Sequence, residues 1–180
     1  DPQYFDSPII SIPKLQHALK AKAVLCPGLK VKLNLEKTQE KFEWQYTEGL
    51  EEYLLEALDK TPHIPEQPFN GSVTGEHEAV DWALVWLTDQ GNNVAESYVN
   101  LVPTSQGGTH VNGLRTGLSN AIREFCEFRS LLPRGVTLSP EDVWDDVAFV
   151  LSVKLEDPQF YGQTKERLSS RESAAFVTGI

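Results

Sequence analysis

The sequence predicts an α+β fold, a two-layer sandwich in which long helices cover one face of a sheet. Apolar and polar residues alternate with a period of two at residues 29–36 and 79–88, which is typical of half-buried strands. From residue 110 to about residue 131, apolar residues recur every three or four positions, as on one face of a long helix. Strands that are followed by long helices are typical of a sheet with helices packed against it. A chain of 180 residues is long enough to enclose a hydrophobic core.

The first sixty residues predict a helix, a hairpin and a second helix. Residues 13–25 carry apolar residues at helical spacing, and a Pro-Gly pair follows that ends the helix. Residues 29–36 and 42–46 both alternate, so we expect them to pair as a hairpin. A second helix is predicted at residues 48–58, with Thr47 as its N-cap and acidic residues in its first turn.

Three strands are predicted next, after a proline-rich segment. Residues 61–68 contain three prolines and are interpreted as a rigid linker between two structural units. Residues 69–77 predict a weak strand, and residues 94–101 predict another. Between them, the alternating residues 79–88 place two tryptophans on one face of a strand, which predicts packing of that face against a helix layer.

The second half of the chain predicts a strand–helix–strand unit and a final helix. The long helix contains Gly113 and Gly117 one turn apart, which close packing against the sheet would explain, as would a closely approaching ligand. Ser139, followed by proline and two acids, predicts the start of a short helix. A strand is expected at residues 147–155, and another helix at residues 167–177.

Gly107, Gly108 and Thr109 lie directly before the long helix. Free backbone N–H groups at a helix N-terminus bind anions, so this segment is a candidate anion site. The alternative is structural: the glycines form the turn and Thr109 caps the helix. The residues themselves leave both interpretations open.

Composition narrows the classes of function. The formal net charge of −10 argues against a surface that binds nucleic acid as a whole, so any DNA contact must be local. Two distant cysteines in apolar surroundings indicate buried thiols in a reducing compartment and not a disulfide framework. The four histidines show no metal-ligand spacing, and we predict no metal site. No apolar run approaches the roughly 20 residues that span a membrane.

A polar pair two residues apart follows the last predicted strand. Gln163 offers two N–H donors, and Lys165 offers a compact cation with three. Together they would suit the terminal phosphate of a nucleotide. From the spacing alone, the basic first turn of a surface helix is the favoured interpretation.

Two long segments carry a family resemblance. QTKERLSSR, which begins at Gln163 and follows SVKLEDPQF, resembles the switch-lysine loop of type IIA DNA topoisomerase ATPase subunits. SYVNLVPTSQGGTHVNGLRTGL, at residues 97–118, resembles a second signature of the same subunits, and residues 5–28 are similar to them as well. The similarity extends over essentially the whole chain. It is greater to the B subunit of bacterial topoisomerase IV than to the gyrase B subunit.

The resemblance implies a fold and a domain division. The fold would be the ribosomal-S5-like transducer domain, with a left-handed βαβ crossover, preceded by the tail of a GHKL ATPase domain. Residues 1–48 would form the C-terminal helix and hairpin of the ATPase domain, and residues 49–180 the transducer domain, truncated at its C-terminal helix. The chain contains no Met and stops in an apolar helical pattern, so we expect both ends to lie inside a longer protein.

The resemblance also implies roles for three residues. Lys165 matches the switch lysine that contacts the γ-phosphate of ATP, and it is the predicted catalytic residue. Gln163 matches the residue that binds ATP beside it. Arg115 matches an arginine that contacts DNA in the cavity for the transported segment, although the sequence also permits a surface arginine paired with Glu78 or Asp81. The guanidinium group suits phosphate contacts.

The implied activity belongs to a larger assembly. The family's catalytic Glu, Mg²⁺-binding Asn and glycine-rich lid match nothing in this chain, so ATP and Mg²⁺ would be bound mainly by the missing ATPase lobe, and the fragment alone would be inactive. The expected partners are the topoisomerase IV A subunit, a second B subunit and DNA, in the bacterial cytoplasm at the nucleoid. The whole enzyme would relax and decatenate DNA. Alternatives are a gyrase B subunit, which takes part in negative supercoiling, and a non-enzymatic interaction module of the same fold.

Overall fold

The structure of the chain, a computed structural model, describes residues 9–89 and 91–180. The first eight residues of the predicted ATPase-domain segment therefore lie outside the described part. The helices and strands, in chain order, are α1 Ile12–Leu25, β1 Val31–Leu35, β2 Glu40–Trp44, α2 Leu50–Leu58, β3 His63–Thr74, β4 Glu78–Leu87, β5 Ala95–Val99, β6 Val102–Pro103, α3 Thr109–Phe128, α4 Pro140–Trp144, β7 Val147–Leu155 and α5 Arg171–Thr178.

The strands form one small and one large sheet. β1 and β2 pair as the predicted antiparallel hairpin, with Val31 opposite Trp44. The other strands form a five-stranded sheet in the order β3-β4-β7-β5-β6. β7 is antiparallel to β4 and parallel to β5. The chain passes from β5 to its parallel neighbour β7 through α3 and α4, which confirms the predicted strand–helix–strand unit.

Helices pack on both faces of the large sheet. Alternate residues of β4 point to opposite sides: Val80 and Leu84 join a core with α3 and α5, whereas Ala83 and Val85 join a core with α1 and α2. Trp82 packs against the first core, so the predicted contact between the tryptophan face and a helix layer is confirmed. The α+β class is also confirmed. The sequence predicts helices on one face of the sheet only, and this is incomplete, because α1 and α2 cover the second face.

The proline-rich segment is not a linker. Residues 61–68 run into β3, which begins at His63, so the predicted boundary between structural units there is wrong. β3 is an edge strand, and its register against β4 shifts between Ile64 and Phe69. Proline removes a backbone donor, and strands tolerate it at a sheet edge or at such an irregularity.

The predicted helix starts are right at one helix and wrong at another. Ser139 and Asp142 form a reciprocal capping box at the start of α4, as its sequence predicts. Thr47 does not cap α2, because the helix begins after Gly49, which has a φ of 62°. The backbone N–H of Thr47 instead donates to the Glu52 carboxylate at 3.2 Å.

The two glycines of α3 allow close contact with a helix. A Cβ atom on Gly113 would lie 2.7 Å from the Ala174 carbonyl oxygen, and one on Gly117 would lie 2.7 Å from that of Thr178. Both acceptors belong to α5. The glycines therefore do permit a close approach, but its partner is α5 and neither the sheet nor a ligand.

Candidate functional site

Gln163 and Lys165 lie at the tip of a hairpin-like loop between β7 and α5. We call residues 159–169 the lysine loop. Its two arms pair through backbone hydrogen bonds from Ser169 to Gln159, at 2.7 Å, and from Tyr161 to Arg167, at 2.9 Å. The helix α5 begins only at Arg171, so the predicted helix start at residue 167 and the interpretation of Lys165 as part of a helical turn are wrong.

The Lys165 cation is available to an anion. The side chains of both Gln163 and Lys165 are exposed. Lys165 Nζ lies 5.8 Å from the centre of the Phe160 ring, and none of the salt bridges in the described part of the chain involves it. Lys165 has a φ of 57°, a left-handed conformation that few residues other than glycine adopt. The loop therefore exposes a lysine and an amide two residues apart, and no salt bridge among the described residues neutralises the lysine.

A second loop holds the base of the lysine loop. We call residues 104–109, which precede α3, the glycine loop. The Gln106 backbone N–H donates to the Glu166 carbonyl at 2.9 Å, and its side-chain amide donates to the Glu166 carboxylate at 3.0 Å. These bonds flank Lys165 on the side toward α5. No sequence pattern indicates this role of Gln106 and Glu166, because only the folded chain brings the two residues together.

The backbones of the two loops touch at Gly108. The Leu168 N–H donates to the Gly107 carbonyl at 3.0 Å, and the Thr109 N–H donates to the Leu168 carbonyl at 3.2 Å. A Cβ atom on Gly108, whose φ is 138°, would lie 2.4 Å from the Leu168 carbonyl oxygen. Glycine is therefore required at this position by both conformation and space.

These contacts change the interpretation of the segment before α3. The N–H groups of Gly107 and Thr109 donate to carbonyls of Thr104 and Leu168, so they are not free for an anion. Thr109 does not cap the helix either: the N-cap residue is Gly108, and the buried Thr109 hydroxyl has no partner in the described part of the chain. The glycines do form the turn, as the structural interpretation expects, but Gly108 and not Thr109 is the N-cap residue, and the turn also contacts the lysine loop.

Three buried polar side chains lie behind the glycine loop. The Thr104 hydroxyl is 2.6 Å from that of Ser97 and 3.0 Å from His110 Nε2. The three residues are at most 7% exposed. Burial lowers the pKa of His110 to about 4, so its imidazole is neutral near pH 7. No sequence pattern identified this group.

Arg115 lies on α3, away from the two loops' contact. Its guanidinium donates to the Glu141 carboxylate of α4 at 2.9 Å, and its side chain is 39% exposed. The partners that the sequence offered, Glu78 and Asp81, do not contact it: Asp81 instead pairs with Lys154 at 3.2 Å. Arg115 is thus a surface arginine with one acidic neighbour.

The described residues contain neither a candidate metal cluster nor a membrane-spanning helix. Residues 9–89 and 91–180 include no group of three or more histidine, cysteine or acidic side chains that could hold a metal ion. No helix within these residues is long and apolar enough to cross a bilayer. Cys26 and Cys126 are free thiols.

Comparison with known proteins shows similarity across the chain. The family model described as DNA gyrase B matches residues 49–180. The chain is 62% identical over 180 residues to the B subunit of DNA topoisomerase 4 from Pseudomonas aeruginosa and 59% identical to that from Escherichia coli K12. Each match spans all of this chain but only 29% of the relative's length.

Solved structures agree in fold. The topoisomerase IV ATP-binding domain of Francisella tularensis, in complex with a small-molecule inhibitor, superposes with a TM-score of 0.82 at 35% identity. The 43K ATPase domain of Thermus thermophilus gyrase B, in complex with an aminocoumarin, also gives 0.82, at 23% identity. Each match covers 99% of this chain and 48% of the solved chain. At 23% identity, the second match concerns the fold alone.

Proposed function

The chain belongs to the DNA gyrase B family, and from this premise we propose that it is part of the ATPase and transducer region of a type IIA topoisomerase. In this role it couples ATP binding and hydrolysis to DNA strand passage. The observation that carries the proposal is the exposed Lys165, which forms no salt bridge among the described residues and lies at the tip of a loop that is hydrogen-bonded at its base. Similarity to topoisomerase IV B subunits over the full chain favours that enzyme.

We propose that Lys165 and Gln163 hold the terminal phosphate of ATP. The donor set fits: one cation and one amide lie two residues apart and exposed, with no salt bridge to the cation among the described residues. When bound, ATP supplies an anionic terminal phosphate that leaves on hydrolysis. Lys165 makes a charge-assisted contact to this phosphate and stabilises charge that develops on it. Mg²⁺ and the rest of the nucleotide would be held by the ATPase lobe that precedes this chain.

The loops provide a path from the nucleotide to the rest of the domain. The lysine loop is bonded to the glycine loop, and the glycine loop leads directly into α3 at Thr109. Movement of the loop tip therefore acts on the N-terminus of α3. Arg115 lies six residues further along this helix, about 9 Å at the usual rise per residue. Loss of the phosphate contact would release the lobes to rotate, as loss of the terminal phosphate releases switch segments in other nucleotide hydrolases.

Arg115 is the proposed DNA contact. Its guanidinium is exposed enough to reach a phosphate, and Glu141 fixes its orientation in the absence of DNA. With a net charge of −10, the chain binds DNA only where such local cations face it.

The proposed architecture retains the division at residues 48 and 49, with an ATPase-domain tail before it and the transducer domain after it. The start of the family match at residue 49 supports this division. The proposed assembly contains two A and two B subunits acting on DNA at the nucleoid of a bacterial cytoplasm. Gyrase remains the alternative within the family. Decatenation by the reconstituted enzyme supports topoisomerase IV, and introduction of negative supercoils would support gyrase.

The experiment that tests the proposal is MgATP turnover by the longer protein that contains the ATPase lobe. We expect Lys165→Ala to lower turnover by roughly 10- to 150-fold, because it removes a charged contact worth about 1.5–3 kcal/mol. Lys41→Ala is the matched control, since it removes an equal charge from an exposed position on β2. Equal turnover by the two variants would refute the phosphate contact and favour a non-enzymatic interaction module.

A further inference from the structure

We propose that His110 is a positioning residue for Lys165: it locks the glycine loop to β5, and the locked loop holds the lysine loop in place. This inference rests on the proposed nucleotide contact of Lys165. His110 is fully buried at the start of α3 and does not contact the lysine loop through any described hydrogen bond. Its effect therefore passes through the residues between.

The first step is the bond across the glycine loop. His110 Nε2 lies 3.0 Å from the Thr104 hydroxyl, so the imidazole ties the end of the loop to its beginning. The Thr104 hydroxyl also donates to the Ser97 carbonyl of β5 at 2.9 Å. The Thr104 N–H donates to the same carbonyl at 2.8 Å. Both ends of the loop are thereby joined to one point of the sheet.

The proton arrangement follows from counting donors. The Thr104 hydroxyl has one hydrogen, and donating it to the Ser97 carbonyl leaves that oxygen as an acceptor. In this arrangement, His110 carries its proton on Nε2 and donates it to Thr104. A proton on Nδ1 would instead leave a buried donor with no acceptor among the described residues. Its Nδ1 atom has no partner in the described part of the chain, which fits an unprotonated nitrogen. Burial lowers the pKa of His110, which keeps the imidazole neutral and leaves one nitrogen unprotonated.

The second step is the contact between the loops. The groups that hold the lysine loop belong to Gln106, Gly107 and Thr109, all of which lie between Thr104 and His110. These backbone bonds keep their geometry only while the glycine loop keeps its own. Without the His110 bond, the loop is closed only through the backbone and the Ser97 contact. The tip of the lysine loop would then be displaced, and small misplacements of a catalytic group cost up to about 100-fold in rate.

The test is ATP turnover by the full-length protein, with variants chosen for the donor. His110→Leu removes the donor and keeps an apolar side chain of similar size. His110→Gln keeps an N–H donor at the same number of bonds from the backbone as Nε2. We expect roughly 10- to 100-fold lower turnover for His110→Leu and recovery to within a few-fold of the parent for His110→Gln. If His110→Leu folds poorly, Thr104→Val takes its place in the test. It removes the hydroxyl that accepts the His110 hydrogen bond, so we expect the same loss of turnover.

A double-variant comparison separates positioning from general structural damage. In a Lys165→Ala background, the positioned group is already absent, so His110→Leu should lower turnover no further. An equal loss in both backgrounds would overturn the inference, as would normal turnover in both His110→Leu and Thr104→Val. If Lys165→Ala lowers turnover and the His110 variants do not, only this inference fails. If Lys165→Ala itself has no effect, the proposed function fails and this inference with it.

Discussion

Replacing Gly108 by alanine should separate the two loops. The added Cβ would lie 2.4 Å from the Leu168 carbonyl oxygen and 2.5 Å from its nitrogen, whereas ordinary contacts begin at 3.4 Å. Both neighbouring atoms belong to the backbone, so no side-chain rotation relieves the overlap. The loops must move apart by about 1 Å, and this movement opens the bonds that Leu168 makes with Gly107 and Thr109.

The size of the effect follows from strain and lost hydrogen bonds. An alanine at a φ of 138° costs about 1–3 kcal/mol. Two backbone hydrogen bonds contribute about 1 kcal/mol each. Because movement relieves part of the strain, we expect Gly108→Ala to lower the free energy of unfolding by about 2–4 kcal/mol.

The matched control is Gly135→Ala. Gly135 also has a positive φ, 84°, but no atom lies within 4 Å of its added Cβ. Gly135→Ala therefore has the conformational cost, about 1–2 kcal/mol of the free energy of unfolding, but no steric overlap. Urea unfolding of the chain measures both variants, and amide hydrogen exchange reports protection at Leu168. Equal stability losses, with unchanged exchange at Leu168, would refute the proposed contact between the loops.

Three further predictions concern other parts of the chain. Trp82→Ala should lower the free energy of unfolding by about 2–3 kcal/mol, since the indole is only partly buried and fully buried tryptophans cost more; an unchanged urea midpoint would place its face in solvent. Arg115→Ala should lower DNA-stimulated ATP turnover of the full-length protein and spare basal turnover, whereas equal stimulation would exclude a DNA contact. The pKa of His110 is about 4 in the fold and 6.5 in the unfolded chain, so the unfolded state binds more protons between these values. The free energy of unfolding should therefore rise with pH between these two values. His110→Gln should remove the contribution of His110 to this pH dependence, as measured by urea unfolding.

Sequence patterns predict a helix or strand well where residues close together in the chain determine it. The strand at residues 147–155 is predicted with its observed bounds, because it is an almost continuous apolar run after a capped short helix. The prediction for residues 61–68 is wrong because their prolines indicate a linker. These prolines are compatible with a strand only because β3 lies at the edge of the sheet. Thr47 is misread because Gly49 sets the start of α2.

The site depends on contacts between distant segments. Leu168 pairs with Gly107 and Thr109, roughly sixty residues earlier in the chain, and this pairing moves the start of α5 beyond the predicted position. Resemblance to the family identified Lys165 and Gln163, whose spacing alone indicates little. Nothing in the sequence indicates that His110 closes the glycine loop, since a buried histidine is recognised only by its surroundings.

A comparison of two nucleotides tests the contact between Lys165 and the γ-phosphate. In the full-length protein, Lys165→Ala should weaken binding of a non-hydrolysable ATP analogue by roughly 10- to 150-fold, the equivalent of one charged hydrogen bond. Binding of ADP, which lacks the terminal phosphate, should not change. An equal effect on both nucleotides, or on neither, would contradict a contact between Lys165 and the γ-phosphate.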